Sequence, residues 1–170
     1  MRVYGVVGWK NAGKTTLMER LVSEITGRGF TVSTIKHAHH VFDVDRPGKD
    51  SYRHREAGAS EVLVASGARW ALMHELREND EPPLEALLAR LSPVDLILIE
   101  GYKRDSHAKV EAYRAETGAP LIALDDPTVK AIATNDAVEA SQPVLPLDDP
   151  KAIADFILGD VGLPLKAQDG

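Results

Sequence analysis

The sequence contains no cysteine among its 170 residues, so it predicts neither a disulfide framework nor thiol chemistry. It also lacks any apolar run near the roughly 20 residues that a membrane-spanning helix needs. We expect no signal peptide, because Met1 leads directly into the first predicted strand. These features favour a cytoplasmic protein without membrane partners.

Positive charge is also in short supply. The chain has 20 lysines and arginines against 26 aspartates and glutamates, which gives a net charge of −6. This balance does not favour binding to nucleic acid or to anionic membrane surfaces. The remaining composition, with 44% hydrophobic and 27% charged residues, is that of an ordinary globular domain.

The most informative stretch is residues 8–16, GWKNAGKTT. It fits G-x-x-x-x-G-K-[ST], the phosphate-binding P-loop. An apolar strand pattern at residues 3–7 precedes it, and apolar residues at helical spacing follow it up to Ile25. The motif therefore lies where its backbone N–H groups and a helix N-terminus can bind phosphate together. We expect Lys14 to reach the terminal phosphates and the Thr15 hydroxyl to ligate Mg²⁺. The predicted nucleotide-binding residues of this stretch are Gly8, Asn11, Ala12, Gly13, Lys14, Thr15 and Thr16.

The remaining patterns predict an α/β fold, a P-loop NTPase-like three-layer domain with a mostly parallel, mixed sheet. Two strand patterns separated only by Gly67 and Ala68 predict a β-hairpin, which is why the sheet is expected to be mixed. We expect one nucleotide-binding domain over residues 1–160 and a flexible tail at 161–170. The predicted helices are 14–26, 84–91 and 151–158, with a short one after residue 50; the predicted strands are 3–7, 30–36, 61–66, 69–75, 94–99, 110–113, 120–124 and 129–134.

An acidic residue at the end of a buried strand is the second part of a P-loop site. The run VDLILIEG places Glu100 at the carboxyl end of the predicted strand 94–99, the edge where α/β sheets bind ligands. A carboxylate there can hold Mg²⁺ directly or through water, and it can orient a hydrolytic water. We therefore predict Lys14 and Glu100 as the catalytic pair, and Glu100 and Thr15 as metal-binding residues.

A long polar loop, residues 37–50, contains three of the six histidines. One interpretation is a transition-metal site formed by His37, His39, His40, Asp43 and Asp45. Another is a loop at the phosphate site, in which Asp45 contributes to the Mg²⁺ shell. A third is a solvated surface loop. The spacing of the residues leaves these alternatives open.

Recognition of the base is not encoded by an Asn-Lys-x-Asp stretch, which the chain lacks. The nearest candidates are Asn135 and Asp136 after the predicted strand 129–134, and Asp125 and Asp126 after the predicted strand 120–124. Asn and Asp also favour turns, so both assignments are hypotheses. We predict Asn135 and Asp136 as the base-contacting pair.

Several stretches together resemble the molybdopterin-guanine dinucleotide biosynthesis protein B family. These are the P-loop, the TIKHAHH run at 34–40, the FDVDRPGKDS run at 42–51 and the LIEGYK run at 98–103. The resemblance covers residues 1–134. It implies a GTP-binding protein with weak Mg²⁺-dependent GTPase activity. It also implies a homodimer that assists the molybdopterin guanylyltransferase, protein A of the same pathway, in attaching GMP to molybdopterin.

Two other functions compete with this interpretation. A P-loop kinase would use Lys49, Arg53 and Arg55 to bind a small acceptor, although no lid-like insertion is evident late in the chain. A nucleotide-driven metallochaperone would use His37, His39 and His40.

Overall fold

The computed structural model describes residues 1–38 and 42–164. Two short 3₁₀ helices, Ala115–Thr117 and Ile122–Leu124, accompany the regular elements. The strands and helices in chain order are β1 (Arg2–Val7), α1 (Lys14–Gly27), β2 (Val32–Lys36), α2 (Asp50–Glu56), β3 (Glu61–Ala65), β4 (Trp70–His74), α3 (Leu84–Leu88), β5 (Leu96–Glu100), β6 (Lys109–Ala112), β7 (Val129–Ala133), β8 (Val144–Leu145) and α4 (Pro150–Asp160).

The chain forms two compact units, one of residues 1–37 and 92–170 and the other of residues 38–91. This division reflects compactness alone. The single domain expected over residues 1–160 and the flexible tail at 161–170 therefore stay predictions.

The first unit is built on a six-stranded sheet in the order β2-β5-β1-β6-β7-β8. Its strand pairings are parallel. Val6 of β1 is in register with Glu100 of β5, and Val7 is in register with Glu111 of β6. The carboxyl ends of these three strands therefore meet at one edge, where the P-loop leaves β1.

Helices α1 and α4 pack against one face of this sheet. The apolar face of α1 is buried there, with Leu17 at 2% exposure and Leu21 at 0%, beside Ile153 and Ile157 of α4 at 0%. Side chains alternate along β1, so Val7 points to the opposite face and joins a second apolar cluster there. Burial of each such side chain is worth roughly 1.5–3 kcal/mol, and it fixes α1 directly behind the P-loop.

The second unit contains α2, the β3–β4 hairpin and α3. The hairpin pairs Ala65 with Trp70 next to its turn and Glu61 with His74 at its far end. The predicted hairpin is confirmed, and so is the α/β fold class. The antiparallel pairing, however, belongs to a separate two-stranded sheet rather than to the main one.

The predicted strand over residues 120–124 is wrong. Residues 122–124 form a 3₁₀ helix instead. The carboxylate of Glu111 accepts hydrogen bonds from the backbone N–H groups of Ile122 at 2.9 Å and Ala123 at 2.8 Å. Donors that a strand would offer to its neighbour are thus bound by a side chain.

None of the helices in the described part of the chain has the length and apolar character needed to cross a membrane.

Candidate functional site

The loop between β1 and α1 has the backbone of an anion-binding turn. Gly8 has φ of +148°, and a Cβ there would lie 2.4 Å from the carbonyl oxygen of Ala112, so only glycine fits. Asn11 and Gly13 also have positive φ, at 67° and 93°. Such left-handed turns direct successive N–H groups toward one point. An open pocket of about 330 Å³ is lined by Asn11, Gly13, Lys14, Thr15 and Thr16.

Two of the predicted P-loop residues, Gly8 and Ala12, can contact a bound ligand through their backbone alone. Ala12 is buried, with 2% exposure, so its side chain belongs to the core. Gly8 has no side chain and packs against Ala112. A ligand in the pocket would meet the N–H groups of this turn and the side chains that follow it.

Lys14 already makes a contact with the loop that precedes it. Its Nζ donates a hydrogen bond of 2.7 Å to the carbonyl oxygen of Trp9. Burial lowers the pKa of Lys14, and nearby Lys103 and Lys36 lower it further, while Glu100 raises it. The Lys14 amino group is thus bound to the loop carbonyl and lies near two other lysine charges.

The structure brings Thr15 and Glu100 together. The Thr15 hydroxyl donates a hydrogen bond of 3.1 Å to Oε1 of Glu100. The same Oε1 lies 3.6 Å from Nζ of Lys36 at the end of β2. Glu100 is 9% exposed. A hydroxyl and a carboxylate at this separation are hard oxygen ligands of the kind that Mg²⁺ prefers, so these residues fit the predicted metal role.

A sharp turn follows Glu100. Gly101 has φ of +99°, and a Cβ there would lie 3.0 Å from Cβ of His37. Tyr102 also has positive φ, at 50°, which is uncommon for a residue other than glycine and costs energy. Its ring stacks on the ring of His37, with a centroid separation of 4.5 Å. The turn places residue 103 beside the P-loop.

Lys103 is the site residue that sequence reasoning missed. Its Nζ lies 4.0 Å from the centroid of the Trp9 ring, in the geometry of a cation–π contact. The indole Nε1 of Trp9 in turn donates a hydrogen bond of 2.7 Å to the carbonyl oxygen of Pro120. The sequence feature that could have identified Lys103 is its position three residues after Glu100, because a residue so close to the end of β5 stays near the site.

Asn135 and Asp136 line a second, smaller pocket of about 140 Å³, together with Arg114, Glu116 and Leu147. Gly13 joins the two pockets, because a Cβ there would lie 3.3 Å from Nε of Arg114 and 3.8 Å from Leu147. Both predicted residues are held in place: Oδ2 of Asp136 accepts the N–H of Ala115 at 2.7 Å, and Oδ1 of Asn135 accepts the N–H of Leu147 at 2.9 Å.

The alternative pair, Asp125 and Asp126, does not follow a strand. It precedes β7, at the amino end of the sheet, opposite the P-loop edge. Oδ1 of Asp126 accepts the backbone N–H of Thr128 at 2.9 Å. Turn formation accounts for this pair.

Asp45 lies in the second unit, where it is bound to an arginine. Its Oδ1 and the Oδ1 of Asp43 each lie 2.9 Å from Nη2 of Arg55, and Oε1 of Glu75 lies 2.9 Å from Nη1. Burial raises the pKa of Asp45, but hydrogen bonds from Arg55 and Ser51 outweigh this and lower it overall. Its role in a Mg²⁺ shell stays a prediction. Arg55, one of the residues that a kinase would use for its acceptor, is committed to these carboxylates.

The histidine-rich loop falls partly outside the described residues, since His39 and His40 belong to residues 39–41. Over residues 1–38 and 42–164, no three His, Asp or Glu side chains are grouped so that they could hold a metal ion. His37 stacks on Tyr102.

Comparison with known proteins gives the same picture at family level. The family model "Molybdopterin guanine dinucleotide synthesis protein B" matches residues 3–135. The chain is 40% identical over 153 residues to the molybdopterin-guanine dinucleotide biosynthesis adapter protein of Escherichia coli K12, covering 88% of this chain and 87% of that protein. It is also 40% identical to the adapter protein of Haemophilus influenzae, over 90% of this chain and 85% of that one.

Solved structures agree with these relatives. A MobB homologue from Bacillus stearothermophilus superposes with a TM-score of 0.71 at 28% identity, covering 95% of this chain and 99% of that one. MobB of Bacillus subtilis superposes with a TM-score of 0.73 at 27% identity, covering 95% and 98%. The chain belongs to the molybdopterin guanine dinucleotide synthesis protein B family.

Proposed function

We propose that this protein is a GTP-binding adapter of molybdopterin guanine dinucleotide synthesis, which assists the guanylyltransferase that joins GMP to molybdopterin. The observation that carries the proposal is the Thr15–Glu100 hydrogen bond of 3.1 Å beside the P-loop pocket. It joins the two parts of a Mg²⁺–nucleotide site. The names of the adapter-protein relatives supply the pathway. The expected cytoplasmic location is part of this proposal.

The P-loop side supports slow GTP hydrolysis. In this reaction a water oxygen bonds to the γ-phosphorus while the bond from that phosphorus to the β–γ bridging oxygen breaks. The electron pair stays on GDP, and the proton of the water passes to the released phosphate or to solvent. Lys14 would neutralise charge on the terminal phosphates, and Glu100 would orient the water. Bound Mg²⁺, held by Thr15 and Glu100, would supply further neutralisation of the β- and γ-phosphates.

The smaller pocket would receive the base. Guanine presents N–H donors at N1 and at its 2-amino group, and a carboxylate accepts both. Asp136 lines this pocket, and its Oδ2 is fixed by the N–H of Ala115. Arg114 lies beside Gly13, where its cation would lie between the base and the phosphates. Asp136→Asn should weaken GTP binding and improve binding of xanthosine triphosphate, whose C2 carbonyl matches an amide donor. Unchanged selectivity would assign the base to other residues.

A homodimer is part of the proposal, and the β3–β4 hairpin is the surface that supports it. An isolated two-stranded hairpin is marginally stable, and this one exposes large apolar side chains. Leu63 is 59% exposed, Trp70 67% and Leu72 41%. Exposed apolar patches of this kind mark protein contacts. Leu72→Lys should therefore convert a dimer to a monomer in light scattering, and a variant that stays dimeric would place the interface elsewhere.

The decisive experiment measures the thermal midpoint with GTP, ATP, GDP or no nucleotide, each with Mg²⁺. A ligand at about 100 times its dissociation constant adds roughly 2.7 kcal/mol to the free energy of unfolding, which moves the midpoint by several degrees. A shift with GTP and GDP but not ATP is expected. A shift with ATP alone would contradict the proposal and favour a kinase.

A further inference from the structure

Two lysine amino groups are bound to one P-loop residue, Trp9. Nζ of Lys14 donates to its carbonyl oxygen at 2.7 Å, and Nζ of Lys103 lies 4.0 Å from its ring centroid. Lys14 comes from the start of α1, and Lys103 comes from the turn after β5. The two positive charges thus approach Trp9 from different parts of the fold, and Lys14 also lines the P-loop pocket.

The Trp9 ring is itself held in position. Its Nε1 donates to the carbonyl oxygen of Pro120 at 2.7 Å. The segment that follows Pro120 is anchored by Glu111, which is fully buried and binds the N–H groups of residues 122 and 123. The ring is therefore a fixed platform, while the lysine on it has a flexible four-carbon stem.

The position of Lys103 depends on a strained turn. Gly101 and Tyr102 both have positive φ, at 99° and 50°, and Tyr102 is held by its stack on His37. Strain of this kind persists where the surrounding structure enforces it, and it is frequent at functional sites. Its effect here is to turn residue 103 from the strand end toward the P-loop.

The charges around the pocket are unbalanced. Lys14 lines it, the charges of Lys36 and Lys103 act on Lys14, and the carboxylate of Glu100 lies 3.6 Å from Nζ of Lys36. Burial lowers the pKa of Lys103, while the carboxylate of Glu111 raises it. Burial and the neighbouring Lys103 likewise lower the pKa of Lys14. An anionic ligand in the pocket would relieve this repulsion.

We propose that Lys103 is the residue that distinguishes a nucleoside triphosphate from a diphosphate: its amino group leaves the Trp9 ring to bind the γ-phosphate. The inference rests on the proposed function. A cation on an indole face is held less strongly than one bound to a phosphate oxygen by a charge-assisted hydrogen bond, so the γ-phosphate displaces the contact. With a diphosphate, Lys103 stays on Trp9.

The indole provides the measurement. The chain has two tryptophans, and Trp70→Phe leaves Trp9 as the only one. In that background the emission of Trp9 is titrated with the β,γ-imido analogue of GTP and with GDP, both with Mg²⁺. Removal of the cation from the ring should change the emission with the triphosphate analogue, and GDP should produce a clearly smaller change.

The variants Lys103→Met and Lys103→Arg complete the test. Lys103→Met should weaken binding of the triphosphate analogue roughly tenfold or more, as expected for one hydrogen bond to a charged group, and leave GDP affinity nearly unchanged. Lys103→Arg should restore most of the lost affinity. Lys130→Met is the matched control, because this exposed lysine of β7 binds only the carbonyl oxygen of Pro127 at 3.0 Å among the described contacts; it should affect neither nucleotide.

The outcomes separate the two proposals. If the parent protein binds neither the triphosphate analogue nor GDP, the proposed function fails. If both bind but produce the same Trp9 signal, and Lys103→Met weakens neither or both equally, the function stands and the role of Lys103 is wrong. Circular dichroism of each variant without nucleotide checks that the fold is retained, and Lys103→Gln, which also removes the charge, replaces Lys103→Met if that variant is unfolded.

Discussion

The hydroxyl of Thr15 donates a hydrogen bond of 3.1 Å to Oε1 of Glu100, although 85 residues separate them in the chain. The contact exists because β1 and β5 are adjacent parallel strands, with Val6 in register with Glu100. The loop that leaves one strand therefore lies over the carboxylate that ends the other.

Lys14→Ala should lose nucleotide affinity by roughly 10- to 100-fold, the loss expected when a hydrogen bond to a charged group worth about 1.5–3 kcal/mol is removed. The fold should change little, because among residues 1–38 and 42–164 the only hydrogen bond of Nζ is to the exposed loop carbonyl of Trp9. Calorimetric titration with GTP and urea denaturation without it measure the two effects. Lys130→Ala serves as the control. Extensive unfolding of Lys14→Ala would show that the loop assignment is wrong.

Glu100→Gln should lower hydrolysis more than binding. The amide keeps the size of the side chain and can still accept from the Thr15 hydroxyl, but it removes the charge that would attract Mg²⁺. We expect a weaker dependence of GTP affinity on Mg²⁺, measured by titration with the metal and with a chelator. Loss of binding in Mg²⁺-free buffer as well would contradict the metal role.

His107 should make the protein less stable in mild acid. Both ring nitrogens are buried without a hydrogen-bond partner among the described residues, and burial, together with the charge of Lys109, lowers the pKa of His107 below its ordinary value of 6.5. The unfolded chain therefore binds a proton at higher pH than the folded one, and stability falls as the pH drops through about 6.5 toward the lower folded pKa.

His107→Phe should reduce this loss. The difference between the thermal midpoints at about pH 7.5 and pH 5.5 should be smaller than in the parent protein. His54→Phe, which changes an exposed histidine of α2, should leave that difference intact. Equal pH dependence in the parent and His107→Phe would assign the acid sensitivity to other groups.

Arg28→Met should destabilise the contact between α1 and α4. The Arg28 guanidinium lies 2.5 Å from Asp155 and 2.7 Å from Glu24, and the residue is 7% exposed. Breaking a buried pair costs about 3–5 kcal/mol; because the Asp155 side chain is 43% exposed and can be hydrated, we expect about 2 kcal/mol. Urea denaturation measures this loss. Arg20→Met, on the exposed face of α1, should remain within about 0.5 kcal/mol of the parent.

Sequence patterns predicted helices and strands correctly where the pattern of one element is sufficient. The helix predicted at 14–26 is α1 (Lys14–Gly27), and the strand predicted at 94–99 is β5 (Leu96–Glu100). The strand predicted from the apolar run at 120–124 is wrong, because the carboxylate of Glu111 binds backbone N–H groups of this segment. Glu111 is distant enough in sequence that no local pattern reports the contact. The hairpin was predicted correctly, but its separation from the main sheet depends on pairing that strand patterns do not specify.

The sequence by itself determined the P-loop, the strand and helix that flank it, the acidic residue that ends β5 and the family, because each depends on neighbouring residues and a fixed spacing. Only the tertiary structure decided the strand order β2-β5-β1-β6-β7-β8, the contact of Glu100 with Thr15, the pocket shared by Arg114 and Asp136, and the position of Lys103 over Trp9. These relationships join residues far apart in the chain. They follow from parallel pairing and from a strained turn, whose geometry is set by the packed fold as a whole and not by any one segment.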